Sequence, residues 1–405
     1  MRTRIRRVAP LLVLSLAFSA VAWAQTMGEP TEQLGRVSFV NSCAPTAQAT
    51  FERAVALLHS FWWQEGEKTF REVLERDPDC AIATWGIATI LIGNPFATGP
   101  TLEQAQRAMK AIEHGRSIGA DTERERLFIE AVATYYEHFS ERSHGARLKS
   151  LADAFENLAR RYAGDDEAQI FSAIYLRGTQ DPTDKTFESA LRAAAILEIQ
   201  FKKNPDHPGV AHYLIHSYDY PPIAAKGLNA AKRYSEIAPS APHALHMPSH
   251  IFTRVGAWQE SVASNLRSET VAENEEEFAD QLHAMDYLVY AYLQLSRDTD
   301  AHRVVAEAPH VPGNEQVRVT PYALAAIPAR YVIERGAWEE AAQLQPQATR
   351  FPFTSALTQF ARALGAARSG DAVGAERDVL ELARLVEAMK GAGDAYWPSK
   401  WKCSA

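Results

Sequence analysis

Cysteine is scarce: there are three in 405 residues, too few for the disulfide scaffold that holds small secreted domains together. Glycine and proline, 21 each, stay near average usage, which excludes collagen-like and low-complexity chains. Positive charge is also short. The 42 basic residues face 50 acidic ones, a formal net of −8, the wrong sign for a sequence-independent nucleic-acid binder. No phosphate loop, Gly-x-Ser-x-Gly elbow or redox Cys-x-x-Cys occurs, so the chemistries built on those motifs are not indicated. Six methionines are too few for a thioether array that handles copper. Strand-like alternation and Asn-Gly hairpin turns are missing as well. What remains is 46% hydrophobic and 23% charged, a composition that supports a large folded core.

The first 24 residues read as a signal peptide. Arg2, Arg4, Arg6 and Arg7 precede an apolar run from Val8 to Ala22, and Ala22, Trp23 and Ala24 form a small-x-small cleavage signal. The run is too short to span a bilayer, and no other stretch approaches 18 apolar residues. Cleavage before Gln25 removes four of the 42 basic residues and leaves 38 against 50 acidic, a net of −12. No cysteine follows the cleavage point, so no lipid anchor is expected. A periplasmic or secreted protein without a stable membrane anchor is expected.

Helical periodicity then recurs, punctuated every 30 to 40 residues. Its clearest unit spans 242–266, where Gly256 suits the left-handed end of one helix and Trp258 can plug the gap to the next. Arg335, Gly336, Ala337 and Trp338 repeat the pattern, as do Ser369, Gly370 and Asp371 ahead of another helix. Ending units at Pro78, Pro205 and Pro239 puts Ala54 at position 8, Tyr218 and Phe252 at 11, Trp258 at 17 and Phe70 at 24. These residues resemble the tetratricopeptide repeat, a 34-residue helix-turn-helix unit. The resemblance implies an all-α, right-handed solenoid of about nine helical hairpins over residues 44–390, after an extension at 25–43 and before a tail at 391–405. A narrower likeness is to exported bacterial proteins of this class with the motif His-Met-Pro-Ser-His-Ile-Phe-Thr-Arg, here at 246–254. It implies a chain that continues past Trp397, so the ending here reads as altered. The repeat also puts Cys43 and Cys80 near the starts of neighbouring parallel helices, and in an oxidising compartment a disulfide between them is expected. Cys403 is left as an exposed thiol.

Histidine is where the sequence concentrates. Seven of the 13 lie between His207 and His283. Chance would give about 0.4 pairs at i, i+4. Two occur, His212/His216 and His246/His250, and the surrounding Pro-x2-Pro-x3-His-x3-His pattern repeats 34 residues later. The spacing places each pair on one helix face. In the repeat these are positions 5 and 9 of the first helix, which line the concave groove together with positions 2 and 12. The same register adds Asp219, His243, His283, Asp286, Tyr290 and Arg330 to that surface, and Trp85 as an aromatic for contacting a peptide. His59 reads as a satisfied structural residue and Trp63 as core.

Three readings of the cluster follow. Neutral imidazoles with carboxylates are a ligand set for zinc, copper or iron, and His212, His216, His246 and His250 would then converge on one ion. Asp286 or Asp219 could serve as a base, making a metal-dependent enzyme, although no His-Glu-x-x-His sequence is present. Alternatively, the histidines recognise a protein, peptide or small-molecule ligand in the groove without metal, or they are structural. Pro248, between His246 and His250, threatens the geometry because proline displaces a helix. The leading expectation is a ligand-binding or partner-binding groove, with the metal-dependent enzyme as its competitor.

Overall fold

The computed structural model describes residues 32–97, 99–314, 317–391 and 397–398. The segment read as a signal peptide, Cys403 and nearly all of the expected tail lie outside the described residues. Among those described, every regular element is helical and none is a strand, in line with the all-α expectation. No described helix is long and apolar enough to cross a membrane.

Local chemistry sets the helix ends. Thr101 and Thr122 each begin a helix with a capping box, exchanging hydrogen bonds with Gln104 and Glu125. Proline opens Pro208–Tyr218, Pro242–His246 and Pro352–Ser369, where its missing N–H costs nothing. Gly256, Gly336 and Gly370 adopt φ of +76°, +64° and +88°, left-handed turns at the three places the repeat pattern assigned to them. Trp258 then opens Trp258–Asn274 and packs edge-on against Tyr290, with ring centroids 5.4 Å apart.

Sequence neighbours pack together along the chain. Gln48–His59 lies on Trp63–Arg76, that helix on Ala81–Ile90, and so on to Pro352–Ser369 against Ala372–Gly391. Several alternate helices also touch, including Asp166–Gly178 with Pro208–Tyr218 and Phe278–Gln294 with Val319–Glu334. One contact breaks this local pattern: Gln48–His59 meets Pro208–Tyr218, far along the chain. The extension takes part in the same closure. The Arg36 N–H donates to the Asp206 carbonyl at 2.9 Å, and the Gln33 N–H donates to Ser240 Oγ at 2.8 Å. Leu34, Val37 and Phe39 are buried, so residues 33–39 form a strap held by apolar anchors.

Phe39 enters a fully buried aromatic nest with Phe51, Trp85, Phe128 and Phe171. Trp85 is therefore core, contrary to the groove position the repeat register gave it. Its ring lies 5.0–5.3 Å from three phenylalanine rings, and its surface is wholly covered. The strap excludes it from solvent, an effect no helical register could anticipate.

Cys43 and Cys80 are disulfide-bonded, with Cα atoms 4.7 Å apart and a sequence separation of 37. Opening a loop of that length is expected to cost ~3–4 kcal/mol. Cys43→Ser with Cys80→Ser should lower the urea midpoint accordingly. A midpoint equal to that of the oxidised wild type would contradict this.

Candidate metal centre

Three helical stretches, separated by the intervening helices Leu228–Ile237 and Trp258–Asn274, carry the imidazoles. Pro208–Tyr218 is buried along its whole length and presents His212 and His216 one turn apart. The next stretch runs through Pro242–His246 and Pro248–Val255, and Phe278–Gln294 supplies His283. Pro248 does not break the second stretch. Met247 keeps helical angles (φ −53°, ψ −36°), and the chain tightens so that the His250 N–H donates to the Met247 carbonyl at 3.1 Å. His246 and His250 therefore stay on one face, with Nε2 atoms 3.0 Å apart. In the first pair the Nε2 atoms of His212 and His216 are 3.1 Å apart.

The outer nitrogens fix the tautomers. The His212 Nδ1–H donates to the His59 carbonyl at 2.6 Å. The His246 Nδ1–H donates to Asn265 Oδ1 at 2.6 Å, and the Asn265 amide is oriented by its Nδ2–H donating to the Ser261 carbonyl at 2.8 Å. The His250 Nδ1–H donates to Asp219 Oδ2 at 2.9 Å, and the Arg254 Nε–H donates to Asp219 Oδ1 at 2.8 Å. In a neutral ring the proton on Nδ1 leaves a lone pair on Nε2. His246 and His250 thus point two lone pairs at each other across 3.0 Å. Such a contact is repulsive unless a proton or a metal cation lies between the nitrogens.

Burial disfavours the proton. It holds the His212, His216 and His246 imidazoles well below the ordinary histidine range, and adjacent imidazoles lower them further. His283 is pushed down to about 4 by burial, then by His250.

The nitrogens gather in threes: His212, His216 and His243 in one group, His246, His250 and His283 in the other, each within 4.8 Å. One ion shared by His212, His216, His246 and His250 is not the observed arrangement. The two pairs sit on neighbouring stretches, with the His216 and His250 ring centroids 6.1 Å apart, and a histidine from the next of the three stretches closes each group instead. His243 Nε2 and His283 Nδ1 are buried without a hydrogen-bond partner, as expected of a nitrogen reserved for another ligand.

The other expected residues divide. Asp219 orients His250, as described. Asp286 is taken up by Arg330, whose Nε and Nη2 donate to its two oxygens at 3.0 and 3.2 Å. That pairing raises the Arg330 pKa above its usual range and leaves Asp286 committed to a cation rather than to the imidazoles. Tyr290 packs against Trp258 and under the Arg330 guanidinium. The phenol beside the imidazoles is Tyr287, whose ring lies 4.8 and 4.9 Å from His246 and His250. The repeat pattern gave Tyr287 no groove position, and Asn265 lies on another helix with no spacing signal to His246.

The groove expected over the first pair is filled by the chain itself. Phe61 lies 4.4 Å from the His212 ring and 5.4 Å from that of His243, and Phe96 lies 4.3 Å from His216. Phe61 holds φ at +57°, a conformation that costs a side-chain residue ~1–2 kcal/mol. Next to it, Trp62 Nε1 donates to Glu277 at 2.9 Å.

Beneath this cover lies a second cluster. The Glu167 carboxylate accepts from His59 Nε2 at 3.0 Å and His207 Nε2 at 2.9 Å, while the Tyr213 hydroxyl donates to His59 Nδ1 at 2.9 Å. All four side chains are buried. His59 is the satisfied structural residue expected from sequence, but its carbonyl also holds His212 in place. Glu167 is kept well below the usual carboxylate range by His207 and His59, against the opposing effect of burial.

No protein-family model matches the chain, and no curated protein matches it.

Proposed function

We propose that this is an exported helical-repeat protein that binds transition-metal ions through its central imidazole cluster. The neighbour-on-neighbour helix packing and the left-handed glycine turns support the reading of the array as a tetratricopeptide-like solenoid. The basic and apolar leader supports export, to which the Cys43–Cys80 bridge is suited.

One observation carries the metal reading: His246 and His250 aim Nε2 lone pairs at each other while their Nδ1 protons are committed to Asn265 and Asp219. Neutral imidazole favours zinc, copper or iron over magnesium or calcium. The alternative of recognising a peptide by these histidines is less well supported, because His212 and His246 are fully covered. An enzymatic role draws on a different feature. Three imidazoles leave a tetrahedral ion one open position, the arrangement of catalytic rather than structural zinc, and Tyr287 lies beside it.

Elemental analysis of protein prepared from the exported fraction tests the binding. Tightly held zinc, copper or iron is expected, reduced in His250→Ala. Protein that stays metal-free after incubation with excess zinc and copper would sink the proposal.

A further inference from the structure

We infer that the two histidine groups form one dinuclear centre: each holds its own ion through three imidazoles, and the two ions share a small anion between them. The inference rests on the metal-binding reading above and specifies its stoichiometry and its ligand.

The geometry is repeated rather than incidental. Each group takes an i, i+4 pair from one helical stretch and its third histidine from the next stretch along the chain. In each pair the facing Nε2 atoms are 3.0–3.1 Å apart. Such pairs can open slightly to chelate an ion at ~2.0–2.1 Å from each nitrogen. The third histidine of each group contributes a buried nitrogen with no hydrogen-bond partner, His243 Nε2 and His283 Nδ1. These orphaned atoms are a second observation, independent of the pairing.

The groups are also contiguous. The His216 ring lies 6.1 Å from that of His250, and the His243 ring 6.1 Å from that of His246. No carboxylate belongs to either group. Six neutral ligands leave the charge of two cations uncompensated by the donors themselves. The nearest carboxylates lie outside the ligand groups: Asp219 is engaged with His250 and Arg254, Asp286 with Arg330, and Asp280 stands 3.8 Å from His243 Nδ1. The cationic side chain of Arg177, whose Nε–H donates to the His216 carbonyl, adds to the deficit. Two adjacent dications with open positions and no anionic donor will recruit a small anion, with hydroxide the one always at hand.

Copper(II) loading supplies the test, with azide as the anion probe. Two equivalents should bind per chain. The two spins should couple through the shared anion, so the paramagnetic resonance signal should fall well below that of two isolated copper ions. Azide should give one ligand-to-metal absorption band that titrates with a single equivalent. His243→Ala and His283→Ala, at the less covered third ligands, should each lose one equivalent and restore a one-copper signal, with circular dichroism reporting the fold. Binding of one equivalent, or of two with full uncoupled intensity and two independent azide sites, would overturn the dinuclear centre while leaving metal binding intact. No copper or zinc bound at all would overturn both.

Discussion

Replacing Glu167 by Ala is expected to destabilise the protein by roughly 3–5 kcal/mol, since two buried donors lose their acceptor at ~1–3 kcal/mol each. The carboxylate is the acceptor for both His59 and His207 in a region closed to water. Its loss leaves two imidazole N–H groups without an acceptor and a cavity beside Phe171, whose ring stacks on His59 at 4.7 Å. The change should also reach the proposed metal centre. The His59 carbonyl fixes His212, so a displaced His59 frees the first proposed ligand of the first group. Glu167→Ala should therefore lower metal affinity as well as the urea midpoint, whereas Glu167→Gln, which keeps the size and one acceptor, should lose less of both. An unchanged midpoint in Glu167→Ala would refute the network's structural role, and an unchanged metal affinity would refute its link to His212.

The second large effect is acid lability of the metal-free protein. His59, His212, His216, His246 and His283 all have lowered pKa values, with burial as the leading cause. A lowered histidine pKa means that the unfolded chain binds the proton first. Each such group therefore contributes stability in full above its unfolded value near 6.5, and loses it as the pH falls towards the folded value, about 4 for His283. The slope is up to ~1.4 kcal/mol per pH unit for each group. A few acting together rival the whole stability of a typical domain, about 5–15 kcal/mol. The apoprotein should unfold between pH 6.5 and about 4, before carboxylate protonation alone would require it. Metal should move that transition to lower pH, because an ion bound only by the folded state adds to its stability. Circular dichroism during a pH titration measures the midpoint. An apoprotein with the same urea midpoint at pH 4.5 as at pH 7 would show that these imidazoles are not held neutral by the fold.

Helical class, the glycine turns and the disulfide pair were legible from the chain because each depends on residues near one another in sequence or on a fixed repeat offset. Gly256, Gly336 and Gly370 show this most plainly, since a left-handed residue at a helix end is a local requirement. The histidine pairs were legible for the same reason. A separation of four residues fixes a shared helix face whatever surrounds it, and that face survived Pro248.

The partition of those histidines was decided only in three dimensions. His243 and His283 close separate groups because of the distance between adjacent helices, a quantity set by side-chain packing rather than by spacing along the chain. Asn265 and the His59 carbonyl fix two of the tautomers from other helices, the second of them 153 residues from its histidine. The fate of Trp85 was likewise tertiary. The 33–39 strap and the contact between Gln48–His59 and Pro208–Tyr218 fold the start of the chain onto its middle, covering surfaces that a simple repeat would leave open. Sequence periodicity specifies which face a side chain occupies. Whether that face meets solvent, a metal or another part of the same chain depends on long-range burial, which sums small apolar gains over many distant residues and leaves no periodic mark.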